Sequence, residues 1–272
     1  MGFRDRGVEI KTPEQIAHMR RAGLVVGRTL ELMRSSVRVG VTTGELDAIA
    51  EDAIRSAGAV PSFKGYHGFP GSICTSVNNE VVHGIPGDRA LAEGDVISID
   101  CGAIVDGWHG DAATTVAVGQ VRPDVSELMR VTEEALWAGI AAARLGGRVT
   151  DISHAVETHV RSQGDFGILE DYVGHGIGSA MHQPPNVPNF GRPGKGPKLV
   201  RGLALAVEPM ITLGSKDTDV LDDDWTVITG DGSWAAHYEH TFTLTPEGAW
   251  VLTALDGGES RLADLGVPFG GR

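Results

Sequence analysis

Five side chains in this sequence have the chemistry of metal ligands and stand in strand-like or turn contexts: Asp100, Asp111, His175, Glu208 and Glu239. Four are carboxylates and one is an imidazole. Hard oxygen donors with a single nitrogen suit one or two divalent ions of the Mn, Fe, Co or Zn kind, whereas a closed structural zinc site favours thiolates. Four carboxylates gathered at one point repel one another unless cations lie between them. Convergence of these residues therefore implies a metal centre, with two ions rather than one.

Each position also has a plainer explanation. Asp100 closes VISID and Asp111 opens DAATTV, and Asp beside Gly commonly caps a turn. His175 in GHGIG could be a satisfied loop histidine, and Glu239 in HYEHTFTL an edge-strand charge. Glu208 ends the apolar string LALAVE, and Pro209 ends the strand after it. The plainer explanations fail on their sum, because carboxylates set in apolar strands need partners once buried. By strand alternation Glu239 shares a face with His237 and Thr241, while Tyr238 and His240 point away.

The elements that must carry these residues are legible. Thr12-Pro13-Glu14-Gln15 predicts a capped helix start, with the helix running to about Ser35. Thr42 or Thr43 caps a second helix ending near Gly58. Residues 95–101 and 110–118 are β-rich around a short turn and predict a hairpin that brings Asp100 near Asp111. Pro123 opens a helix to about Leu145, and Thr150 caps another that stops at Gly164. Strands are expected at 203–207, 225–229, 236–244 and 250–253, with 256–272 a loosely held tail. Two helices, strands, two helices and strands again predict an α+β fold with antiparallel sheet in two similar halves. No low-complexity linker separates the halves, so one domain over residues 1–272 is expected.

Composition narrows the function classes. A net charge of −13 without a clustered Lys/Arg stripe argues against nucleic acid or an anionic membrane as partner. No apolar run is long enough for a transmembrane helix. Arg4, Asp5, Arg6, Glu9 and Lys11 break the apolar stretch that an export signal needs, and Cys74 and Cys101 then read as reduced thiols. A cytoplasmic location is expected, and a monomer, since no large apolar stripe is visible.

With these residues in place, the chain resembles the type I methionine aminopeptidases. VISIDCG, WHGDAATT, GHGIG with a following His, LALAVEPM and HYEHTFTLT look like the family's metal-binding strings, and SVNNEVVHGIP and GYHGFPGSICTS are similar to others. The spacing agrees: eleven residues from Asp100 to Asp111, 33 from His175 to Glu208 and 31 more to Glu239. The resemblance covers about residues 12–253 and implies a pita-bread fold, with two pseudo-symmetric halves and a dinuclear site between them. It also implies roles. Asp100 would bind one ion, His175 and Glu208 the other, and Asp111 and Glu239 would bridge. A hydroxide between the ions would be the nucleophile and Glu208 its proton acceptor. His182 would stabilise the oxyanion and His83 would serve the amide nitrogen. Tyr66, Phe69, Cys74, His83, Met181, His182 and Trp225 would form the substrate pocket, whose sulfur and aromatic edges suit a thioether.

Departures from the family pattern are Met181 where an aromatic residue is common, Phe63 at the pocket entrance, Asn79, and the acidic run Asp222-Asp223-Asp224 before Trp225. The implied activity is removal of the initiator methionine from nascent chains with a small second residue, with nascent N-termini as partners and transient ribosome contact. Two alternatives stand beside it. An X-Pro aminopeptidase or prolidase shares the fold but usually carries a separate N-terminal domain, whereas the first helix here begins after about eleven residues. A non-catalytic binding module would lose ligands, and all five are present.

Overall fold

The computed structural model describes residues 7–271. The charges at Arg4, Asp5 and Arg6 lie outside the described residues. Helix α1 spans Pro13–Ser36 and begins where its capping box dictates: the Gln15 amide donates to Thr12 Oγ1, and the Thr12 amide donates to Gln15 Oε1 at 2.8 Å. Helix α2, Thr43–Ser56, repeats the device with Thr42 and Glu45. Met19, Val26 and Met33 on α1 are buried at helical spacing, as are Leu46, Ala50 and Ile54 on α2.

The pair backs a four-stranded antiparallel sheet built on a long hairpin, Val96–Val105 and Trp108–Ala117. Its strands are longer than the sequence alone predicts. Asp106 and Gly107 form a two-residue turn with φ of 51° and 80°, which matches the twist of paired strands and lets pairing run to the turn itself.

The second half repeats the plan with helices α3, Pro123–Ala142, and α4, Val149–Gln163, packed against each other. Helix α3 ends three residues before the predicted Leu145. There the chain turns away to exchange backbone hydrogen bonds with Leu199 through Gly146 and Gly147. Thr150 does not cap α4. Its hydroxyl is engaged with the backbone of Lys195, and Asp151 caps instead, accepting from the Arg148 amide at 2.7 Å.

Two further corrections concern the strands. The expected strand at 236–244 is two, Ala235–His237 and His240–Leu244, which belong to different sheets. Trp225 precedes its strand, Val227–Thr229, and is held by Asp223, whose carboxylate accepts from the amides of Trp225 and Thr226. The C-terminal residues are not a loose tail. Helix α5, Glu259–Asp264, buries Leu262 in the core of the second half, and Phe269 bridges to Ala249. Each half has its own apolar core, as the expected two-half α+β architecture requires. No helix among the described residues is long and apolar enough to cross a membrane.

Candidate metal centre

The hairpin supplies two carboxylates. Register pairs Asp100 with Ala113 and Asp111 with Gly102, so the two aspartates are diagonal neighbours on one face. Their carboxyls come within hydrogen-bonding reach of each other.

The second half supplies Glu208 and Glu239 through one shared irregularity. Strand Ala204–Val207 pairs with His240–Leu244 in a five-stranded sheet, while Met210–Thr212 pairs with Ala235–His237 in a three-stranded one. Two segments of the chain thus cross together from one sheet to the next. Glu208-Pro209 and Tyr238-Glu239 lie opposite each other at that crossing, where the pairing registers break. A proline is tolerated there because the ladder is interrupted. Glu239 then exchanges backbone hydrogen bonds with Ala113 of the hairpin at 3.0 and 3.3 Å, which brings the carboxylates of both halves together.

His175 lies on the short strand Gly174–Gly176, pressed between neighbours. A Cβ on Gly174 would stand 2.4 Å from Ala206 O, and one on Gly176 would stand 2.3 Å from Pro184 O. Only glycine admits this approach on both sides of the imidazole. His175 Nδ1 lies 3.1 Å from Gly176 O, a carbonyl that can only accept, so Nδ1 carries the hydrogen and Nε2 keeps a bare lone pair. Nε2 is 3.6 Å from Glu208 Oε1 and 3.9 Å from Asp111 Oδ2.

The donor set fits a divalent cation. Asp100 Oδ1, Asp111 Oδ1 and Glu239 Oε1 are buried with no hydrogen-bond partner, an arrangement that protein interiors otherwise avoid. One ligand atom each from Asp111, His175 and Glu239 lies within 4.8 Å of the others, as do those of Glu208, His237 and Glu239. Burial pushes the carboxyls of Asp100 up to about 7 and of Glu208 up to about 8, and raises Asp111 and Glu239 well above the usual range. Burial also lowers His175 to about 3, which keeps it neutral. His237 enters this cluster without a role assigned from sequence. Its signal was strand alternation, which set it on the face of Glu239.

All the sequence-predicted site residues converge. Tyr66, Phe69, Cys74, His83, Met181, His182 and Trp225 line one cavity of about 120 Å³ with the five ligands, and Phe63 joins them. Phe69 and Trp225 pack edge to face with centroids 5.1 Å apart. The Tyr66 hydroxyl lies 2.9 Å from His182 Nδ1, and the His182 ring stands edge-on to His175 at 4.5 Å. His83 adopts φ 60° and packs its ring near Tyr172 and Trp225, with burial lowering its pKa to about 4. Among the described residues three larger cavities, of about 170, 280 and 360 Å³, have no comparable meeting of metal ligands, so chemistry rather than size singles out this one.

Partnerless carboxylates, an imidazole with its lone pair preset and an apolar wall within one cavity are what metal-assisted hydrolysis demands. Fold and site together define a metallohydrolase. The chain belongs to metallopeptidase family M24, whose family model matches residues 17–246, and within it to the methionine aminopeptidases. It is 52% identical to a methionine aminopeptidase of Clostridium acetobutylicum, over 90% of this chain and 98% of that protein. It is 50% identical to methionine aminopeptidase 1 of Mycobacterium tuberculosis, over 91% of this chain and 96% of that one. The crystal structure of the Thermotoga maritima methionine aminopeptidase superposes with a TM-score of 0.89 at 41% identity, covering 91% of this chain and 99% of that one. A Pyrococcus furiosus prolidase shares the pita-bread fold alone, with a TM-score of 0.72 at 22% identity, covering 90% of this chain and 65% of that one.

Proposed function

We propose that this metallo-aminopeptidase removes the N-terminal methionine from newly made chains whose second residue is small. The observation that carries the reading is the single cavity in which Tyr66, Phe69, Cys74, Met181 and Trp225 face the five ligand residues. A methionine side chain seated against sulfur and aromatic edges would set its own carbonyl beside the carboxylates.

Asp100, Asp111, His175, Glu208 and Glu239 would hold two divalent ions, drawn from Mn, Fe, Co or Zn. Bound cations supply Lewis acidity, lowering the pKa of water and polarising the carbonyl. The protein's own groups do the rest. Glu208, a carboxylate on the wall of the cavity beside His175, is placed to accept a proton from water and return it to the leaving amine. Burial keeps the Tyr66 phenol protonated, and in the tautomer where His182 Nδ1 accepts that proton, Nε2–H is left to meet the developing oxyanion. His83, neutral near pH 7, stands on the cavity wall to orient the amide nitrogen by a hydrogen bond.

The whole chain acts as one catalytic domain in this reading. Its partners are nascent N-termini, met through transient ribosome contact, and it works as a cytoplasmic monomer. The location is supported by two free, buried cysteines, Cys74 and Cys101.

The test is hydrolysis of Met-Ala-Ser, Met-Leu-Ser and Ala-Pro-Ala by the chelated protein before and after adding Mn²⁺ or Co²⁺. Met-Ala-Ser is cleaved only with metal, Met-Leu-Ser roughly 100-fold more slowly, and Ala-Pro-Ala not at all. Cleavage that ignores metal, or a preference for Ala-Pro-Ala, sinks the reading. Asp111→Asn abolishes turnover if the assignment holds.

A further inference from the structure

Glu208 offers its two carboxylate oxygens to two different imidazoles. Oε1 lies 3.6 Å from His175 Nε2, and Oε2 lies 3.5 Å from His237 Nε2. The His237 side chain is 1% exposed, and its Nε2 is buried without a hydrogen-bond partner. A buried ring nitrogen left unpaired is costly and is rarely kept without a use.

The backbones around this pair are already fixed. The His237 amide donates to Thr115 Oγ1 at 2.9 Å, and Thr115 Oγ1 stands 2.9 Å from His237 O. Asn189 Nδ2 donates to Glu208 O at 3.0 Å, and Pro209 follows. What stays free is the rotation of the Glu208 carboxylate. The Oε1 side faces His175 and Asp111, whose ligand atoms are 3.9 Å apart. Such spacings would suit a divalent cation held between them. His237 approaches the other oxygen.

We propose that His237 is a positioning residue for Glu208: its Nε2–H donates to Oε2 once Oε1 is drawn toward a cation, and this fixes the carboxylate in one orientation. The proposal rests on the reading of Glu208 as the proton acceptor. The competing possibility is that His237 is itself a ligand, since atoms of Glu208, His237 and Glu239 lie within 4.8 Å of one another. Geometry favours the donor role, because His237 meets the oxygen that His175 does not. Active-site hydrogen bonds that are long in a ligand-free geometry commonly shorten on loading.

The experiment compares the wild type with His237→Leu, which fills the space without a donor, and His237→Gln, which keeps an N–H. On Mn²⁺-loaded protein, pulsed EPR counts coordinated imidazole nitrogens, calorimetry reads Mn²⁺ affinity, and steady-state kinetics on Met-Ala-Ser separates kcat from KM. One coordinated imidazole is expected in all three proteins. His237→Leu lowers kcat and Mn²⁺ affinity about 10- to 100-fold with KM little changed, and His237→Gln recovers most of both. Two imidazoles in the wild type falling to one in His237→Leu would make His237 a ligand and overturn the proposal. So would an unchanged kcat in His237→Leu, or equal losses in Leu and Gln. If the Leu variant does not fold, His237→Asn, too short to reach Oε2, takes its place. A wild type that leaves Met-Ala-Ser intact refutes the broader functional reading instead, and the imidazole count still separates ligand from donor.

Discussion

A carboxyl group buried without a cation keeps its proton, and that fact governs how this centre responds to pH. Burial raises Asp100 to about 7 and Glu208 to about 8, from ordinary values near 3.8 and 4.5, and lifts Asp111 and Glu239 well above theirs. In the folded, metal-free protein these four carboxyls therefore bind more protons than in the unfolded chain between about pH 4 and pH 8. Stability from these groups is full below pH 4 and is lost as pH rises through the folded pKa values. Above the range in which the buried histidines such as His83 and His175 oppose this trend, chelated protein is expected to melt at progressively lower temperature from pH 6.5 to pH 8, and saturating Mn²⁺ to cancel most of that fall, since cations replace the protons. A melting temperature flat across this range without metal would mean that the carboxyls do not share a desolvated site. The residue scale was also where the sequence was most informative. Five ligands and the pocket side chains could be named because their types are costly in apolar strands. His237 could be placed on the right face but given no role, since a lone histidine beside a carboxylate has many uses.

At the scale of elements, capping chemistry carried the helix starts where side chain and backbone agree, as at Thr12–Gln15 and Thr42–Glu45. It failed at Thr150, whose hydroxyl is taken by Lys195, a partner 45 residues away. The break between His237 and His240 was invisible for a related reason. Each side of the break reads as good strand, and only pairing with the split at Glu208-Pro209 divides it between two sheets. The C-terminal segment shows the same limit. Its Gly-rich composition suggests a tail, yet Leu262 is fully buried in the core of the second half. Truncating that side chain, Leu262→Ala, should cost about 2–5 kcal/mol in denaturant unfolding, as for other buried leucines. A change below about 0.5 kcal/mol would restore the picture of a loosely held tail.

Across the whole molecule, a short stretch of polar contacts between the halves sets the site. Thr115 of the hairpin bonds both backbone groups of His237, Tyr238 donates its hydroxyl to Thr115 O at 3.0 Å, and Thr241 Oγ1 donates to Asp111 O at 2.8 Å. These threonines are buried, so a lost hydroxyl leaves backbone groups unpaired. Thr115→Val keeps the shape and removes the donor and acceptor together. It should destabilise the fold by about 1–3 kcal/mol and weaken Mn²⁺ binding, because Glu239 is carried on the same crossing. Normal metal affinity in a destabilised variant would show that the two halves hold their ligands independently.

The sequence by itself determined which residues can hold a metal, the two helix-pair-and-sheet halves, and most helix starts. Those features follow from side-chain chemistry and from periodicities of a few residues. The tertiary structure alone decided that the carboxylates of the hairpin and of the second half share one cavity, that paired strands change sheets at Glu208 and Glu239, and that His237 faces Glu208. Each of these depends on which distant backbone groups pair, and no local pattern encodes that choice.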